Sequence, residues 1–137
     1  FKLFNKTLTE SMAELSQVDG LAGMSAQLGE GLKTLNTVTE TLLGKLMENP
    51  DKGLANATVY LDLFGRVFAS WIWLRQAGIA QTAINKGSLE SADENFYRGK
   101  VQAARYYFDW ELPTTKTQAE LLMSHNSTPF DMQEDWF

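Results

Sequence analysis

The sequence predicts an all-α protein, an antiparallel helical bundle of about four main helices with a short fifth helix and an ordered C-terminal tail. Apolar residues recur at steps of three and four through most of the chain, and no segment alternates apolar and polar over the length of a strand. The breaks fall at clusters holding glycine or proline, "ENPDKG" and "NKG". At 137 residues the chain is long enough to form one domain, residues 1–137, with its own core and no staples.

The first helix is marked by Phe1, Phe4, Leu8, Met12 and Leu15 on one face. A second stripe follows at Leu21, Met24, Leu28, Leu32, Leu35, Val38, Leu42 and Leu46. Gly20, Gly23, Gly29 and Gly31 each cost about 1 kcal/mol of helix propensity, so this helix is expected to firm up only after Gly31. Asn49 before Pro50 disfavours further helix, while Pro50 and Asp51 suit a new first turn.

One long helix is then expected over residues 51–85. It is apolar on nearly every side except a strip at Asp62, Arg66, Ser70 and Gln76, the pattern of a central helix. Asp62 and Arg66, four apart, can pair. Gly87 supplies the left-handed stop. Ser91 and Glu94 read as a capping box opening the next helix, whose buried stripe is Tyr97, Val101, Ala104, Phe108 and Leu112. Ala103 and Ala104 admit a close neighbour, and Pro113 ends or kinks the helix. A short helix carries Ala119, Leu122 and Met123, and the aromatics Phe130, Trp136 and Phe137 are expected to dock the tail on a surface.

Composition excludes several functions. A net charge of -5 disfavours a polyanionic partner, so nucleic-acid binding is not expected. With no cysteine and one histidine, thiolate catalysis and two-histidine metal sites are out, and no metal site is expected. The most apolar stretch, residues 67–74 with Ser70 inside it, falls far short of the roughly 20 residues that span a bilayer. No Glu-x-x-His pair, nucleophile elbow or glycine-rich phosphate loop is present, and "LGEGL" follows no strand. No catalytic residue is assigned.

The stretch "FYRGKVQAARYYFDWELP", residues 96–113, mixes aromatic and basic side chains. Its Tyr97 and Phe108 lie on the core stripe, which makes it a packed helix with basic positions at its rim. Lys100 and Arg105 could touch coenzyme phosphates or simply be solvated, and Arg98 is one turn from Glu94 and suited to a local pair. His125, at a helix end, reads as a cap. Trp71, Trp73 and Trp110 read as core or interface residues, with a ligand cage as the alternative. The Asn-x-Ser/Thr matches at Asn5, Asn56 and Asn126 have no signal peptide beside them.

"YLDLFGRVFASWIWLRQA" followed by "FYRGKVQAARYYFDWELP" resembles the acetyl-CoA dehydrogenase C-terminal-like domain, the helical extension of longer acyl-CoA dehydrogenases. The matching positions are Tyr60, Leu61, Gly65, Trp71 and Trp73, then Phe96, Tyr97, Gly99, Lys100, Leu112 and Pro113. The resemblance implies a parent enzyme that uses FAD to oxidise an acyl-CoA to the trans-2-enoyl-CoA, passing electrons to a separate acceptor, with its glutamate base and flavin site upstream. It also implies an accessory role here: packing against the catalytic domains of the same chain, assembling a homodimer, or shaping the acyl site. No cofactor is expected on the segment itself, and a cytoplasmic location is expected. Phe1 already carries helix spacing with no cap before it, so the chain is expected to be a C-terminal piece of that enzyme. The alternatives are a freestanding helical interaction module and a ligand site between helices.

Overall fold

A computed structural model describes residues 1–87 and 89–137. The helices are α1 (Lys2–Leu15), α2 (Ala22–Glu48), α3 (Pro50–Leu54), α4 (Ala57–Lys86), α5 (Ser91–Tyr106) and α6 (Thr115–Met123), and no strand occurs among the described residues. A π-helical turn, Tyr107–Glu111, and a 3-10 turn, Leu112–Thr114, join α5 to α6. The expected all-α bundle is present.

The long helices that follow one another in sequence run antiparallel. Thr39 of α2 meets Tyr60 near the start of α4 at 2.8 Å, and the far ends of the same two helices meet where Gly20 approaches Gln81. α1 lies parallel to α4, with Phe4 stacked on Phe64 at 5.0 Å and Leu15 against Gly78. α4 thus touches α1, α2, α5 and α6 and forms the hub. The core takes Leu8 from α1, Met24, Leu28, Leu32, Leu35 and Val38 from α2, Leu63, Val67, Leu74 and Ala77 from α4, and Ala104, Phe108, Leu112, Ala119 and Leu122 from the C-terminal rod.

Three expectations about helix boundaries need correction. α2 begins at Ala22, well before Gly31, because tertiary burial of Met24 and Leu28 outweighs the glycine penalties. Gly31 also allows close packing where it stands, since a Cβ there would lie 3.0 Å from Leu112 Cδ1 and push that side chain aside. Residues 51–85 do not form one helix: the five-residue α3 precedes α4, with Ala55 and Asn56 between them. α3 is capped by Asn49, whose Oδ1 accepts from the Lys52 amide at 3.1 Å, and it folds so tightly on α2 that a Cβ at Gly53 would sit 2.6 Å from Leu46 Cα. The capping box is absent as well. Glu90 holds the N-cap position, Ser91 is already helical, and the Glu94 carboxylate is taken by Arg98.

The central helix also differs from its predicted face pattern. Ser70, expected on a polar strip, is fully buried and donates its hydroxyl to the Arg66 carbonyl at 2.8 Å, a bond that lets a polar side chain enter the core. Leu61, Phe68 and Ile79 are exposed. Gly87 does end α4 in the left-handed conformation at φ 67°, and its amide bonds the Ile84 carbonyl at 3.0 Å. The tail is built of turns tied to the start of α4 by Asn56 Nδ2 donating to the Asn126 carbonyl at 2.6 Å. Its aromatics do not dock on the chain as expected: Phe130, Trp136 and Phe137 are exposed, Phe137 at 96%.

Because Gly53 faces backbone, which cannot swing aside, Gly53→Ala is expected to lower the unfolding free energy by about 1–3 kcal/mol. Gly44→Ala, on α2 with open space around its Cβ, is expected to raise it by about 0.5–1 kcal/mol. Urea titration of the two variants beside the wild type measures both shifts.

Candidate functional site

Two constellations bring together the side chains capable of chemistry or recognition. The first surrounds Arg66. Asp62, one turn earlier on α4, accepts from Arg66 Nε at 3.1 Å, and Arg66 Nη1 donates to the carboxylate of Glu111 at the end of the π-helical turn. The Gln118 side-chain amide of α6 donates to the same Asp62 oxygen that Arg66 holds. One guanidinium therefore fastens α4 to the turn, and one carboxylate fastens α4 to α6.

The electrostatics follow from these contacts. The hydrogen bond from Arg66, and then that from Gln118, hold the Asp62 carboxyl below its ordinary value, because both favour the ionised form. Burial pushes the Tyr107 phenol up, and nearby Arg66 only partly opposes it. A carboxylate held ionised by a cation is a poor proton acceptor, since a general base works best with its pKa raised toward the working pH. Asp62 is accordingly a structural fastener.

The second constellation is the outer face of α5. Phe96, Gly99, Ala103 and Tyr106 follow at steps of three and four on one side of the helix, and Trp110 in the π-helical turn stacks onto the end of the row. Phe96, Tyr106 and Trp110 are exposed, and Tyr106 stacks on Trp110 with centroids 6.2 Å apart and planes 16° apart. Between α5 and α4 the face dips into a shallow depression of about 330 Å³ lined by Trp73, Phe96, Gly99, Lys100 and Ala103. Lys100 Nζ lies 5.5 Å from the Phe96 centroid and 5.9 Å from that of Trp73, so the cation is held by ring faces at the rim. Pro113 explains the irregular end of this helix: it has no N–H to give and crowds the carbonyl four residues back, and the π-helical and 3-10 turns carry the chain past it.

The other residues singled out from the sequence disperse. Arg98 Nη2 pairs with Glu94 Oε1 at 2.6 Å, as its spacing predicts. Arg105 stands apart from Lys100, in a small cleft with Gln81, Ile84 and Arg98. His125 occupies a left-handed position, φ 53°, just past α6, and no three metal-ligating side chains cluster among the described residues. Trp71, Trp73 and Trp110 form no common cage: Trp71 packs under Arg75 and beside Phe68, Trp73 beside Tyr107, and Trp110 on Tyr106. "LGEGL" lies within α2 and is no phosphate loop.

A larger groove, about 580 Å³, runs between the C-terminal halves of α1 and α4. Neither this groove nor the α5 depression fits a flavin. The buried polar side-chain atoms without partners among the described residues, Asn5 Oδ1, Ser25 Oγ, Asn36 Oδ1, Trp71 Nε1 and Gln118 Oε1, are scattered over four helices and line neither cavity. Sequence reasoning found the Asp62–Arg66 pair but missed Glu111, whose only signal is an acid two residues before Pro113, and it missed the groove altogether.

With this bundle and its aromatic face in view, the comparison with known families is direct: the chain matches the family described as acetyl-CoA dehydrogenase C-terminal like over residues 3–133 and belongs to it. No curated protein matches the chain. No helix among the described residues is long and apolar enough to cross a membrane.

Arg66→Ala removes two charge-assisted bonds and leaves Asp62 and Glu111 without their shared cation; after allowance for solvent screening it is expected to cost about 1 kcal/mol. Arg66→Lys is expected to recover only part of this, because an ammonium lacks the planar fork that reaches both acids. Asp62 has its folded-state pKa below its unfolded value, so its contribution is full above the ordinary carboxylate range and is lost as the pH falls through the depressed value. Thermal unfolding of wild type and Arg66→Ala at stepped pH should show the difference between them shrinking under acid.

Proposed function

We propose that this domain is the C-terminal accessory bundle of an FAD-dependent acyl-CoA dehydrogenase that oxidises an acyl-CoA thioester to the trans-2-enoyl-CoA, and that it packs on the catalytic domains through the outer face of α5. Family membership supports the setting. The observation that carries the role is the exposed row Phe96, Tyr106 and Trp110, interleaved with the small residues Gly99 and Ala103. Large aromatic side chains set beside small ones give a surface of knobs and hollows suited to burial against another protein. Lys100, already desolvated on one side by two rings, would sit at the edge of that contact.

In this role the segment carries no chemical step of its own. Asp62 and Glu111 are engaged by Arg66, and Glu94 by Arg98. In this reading the base and the flavin site belong to another part of the parent enzyme, and this bundle braces the subunit or shapes the approach to the acyl site. Lys100 is the residue of this face best suited to meet an anionic group, whether on coenzyme A or on the catalytic domain.

In the full-length source enzyme, Tyr106→Glu combined with Trp110→Glu is expected to speed proteolytic release of the bundle about tenfold by favouring the undocked form. Both side chains are exposed, so the helix content of the isolated bundle should be unchanged by circular dichroism. A native polypeptide several times heavier than 15.4 kDa, carrying flavin absorbance, is expected from the source cells. A native product of about that mass would instead favour a freestanding interaction module, and unchanged proteolysis would remove α5 as the docking face.

A further inference from the structure

The outward side of α4 is a stripe of Leu61, Gly65, Phe68, Ile72, Arg75 and Ile79 at steps of four and three, with Arg75 as its one charge. Its C-terminal half runs into the α1–α4 groove, whose volume of about 580 Å³ is that of a small-molecule site. The two walls of the groove are parallel and in step. Ser11 and Arg75 each lie about one turn before the contact of Leu15 with Gly78, and Val18 and Thr82 follow it. Gly78 sets the floor, because a Cβ there would collide with Leu15.

The groove has a cationic end and an apolar run. At the Ser11 end the Arg75 guanidinium rests over the Trp71 ring, 5.3 Å from its centroid, and it pairs with no acid among the described residues. From there Leu15, Ile79 and Ala83 carry the walls toward Leu89, past the end of α4. Ile79, in the middle of this run, is 69% exposed and gains by being covered. The second cation, Lys86, stands in the last turn of α4, where the carbonyl end of its own helix draws its charge. Glu14 is the one acid, so the groove is locally positive in a chain whose net charge is -5.

We propose that this groove binds a single-chain carboxylate, an alkyl chain ending in one anionic head, with the head on Arg75 and Ser11 and the chain laid along Leu15, Ile79 and Ala83 toward Leu89. A guanidinium can hold a carboxylate through two parallel N–H donors, and the Ser11 hydroxyl supplies a third. The trough has one row of side chains on each side and runs along the helices, a shape that one extended chain follows over its length. The head answers the local positive charge and the chain covers Ile79, so one molecule accounts for both features. The groove shares no lining residue with the α5 depression, and its occupancy does not depend on docking through that face.

Calorimetric titration of the 137-residue chain with sodium decanoate, kept below its micellar concentration, is expected to show saturable one-to-one binding. Dodecanoate is expected to bind about fourfold tighter, the effect of two methylenes half covered in an open groove. Arg75→Gln is expected to weaken decanoate about tenfold. Lys86→Gln should leave the affinity within about twofold. Ile79→Glu, which sets an acid in the middle of the run, is expected to abolish binding. All three side chains are exposed, so the variants should keep the helix content of the wild type by circular dichroism. Heat without saturation, equal binding of decyltrimethylammonium, an affinity indifferent to chain length, or an equal loss from Arg75→Gln and Lys86→Gln would each overturn the proposal. So would flotation of the chain with phosphatidylglycerol vesicles when monomeric decanoate is not bound, because the groove would then meet a lipid surface and not a single chain.

Discussion

The structure depends on a single helix having to satisfy several neighbours at once. α4 offers Leu63, Val67, Ser70, Leu74 and Ala77 to the core, Phe64 and Gly78 to α1, Trp73 to the lysine-bearing face of α5, and Asp62 to α6. A helix turns once in about 3.6 residues, so these partners use most of its circumference. What is left over is one narrow outer stripe, apolar except for Arg75. The placing of α1, α2 and the C-terminal rod follows from which part of this circumference each one covers.

Much of this was readable from the chain itself. The spacing of Leu21 through Leu46, of Tyr97 through Leu112, and of Ala119 with Leu122 marked helices and their buried sides, because burial of a stripe is a local pattern that tertiary structure enforces. Gly87 was legible as a helix stop for the same local reason: only a glycine takes φ 67° without a steric cost. Glycines inside helices misled, because propensity treats Gly31 as a penalty while a Cβ there would crowd Leu112, a residue far along the chain that only the fold brings near. Ser70 misled in the same way, since its burial depends on a bond to its own helix backbone that no polarity pattern displays.

The candidate site was legible only in its parts. The matched sequence motifs carried Phe96, Gly99, Lys100 and Trp73 into view, yet the rings that hold Lys100 come from two helices that only the packing of α5 on α4 brings together. Glu111 meets Arg66 from the π-helical turn just before Pro113, a proline whose effect from sequence reads simply as a stop. The groove between α1 and α4 left no trace in the sequence, because a cavity is set by distances between helices and not by the period along either one.

α5 packs chiefly on α4, whereas α2 meets α1, α3, α4 and α6. The hold of α5 on the bundle therefore runs through one neighbouring helix, and lifting it away would disturb α4 most and the packing of α1 on α2 least. Joining a second protein at the aromatic face would give α5 a second partner on the side that α4 leaves open, so assembly and local stability become one equilibrium, with slower backbone hydrogen exchange in α5 as its trace.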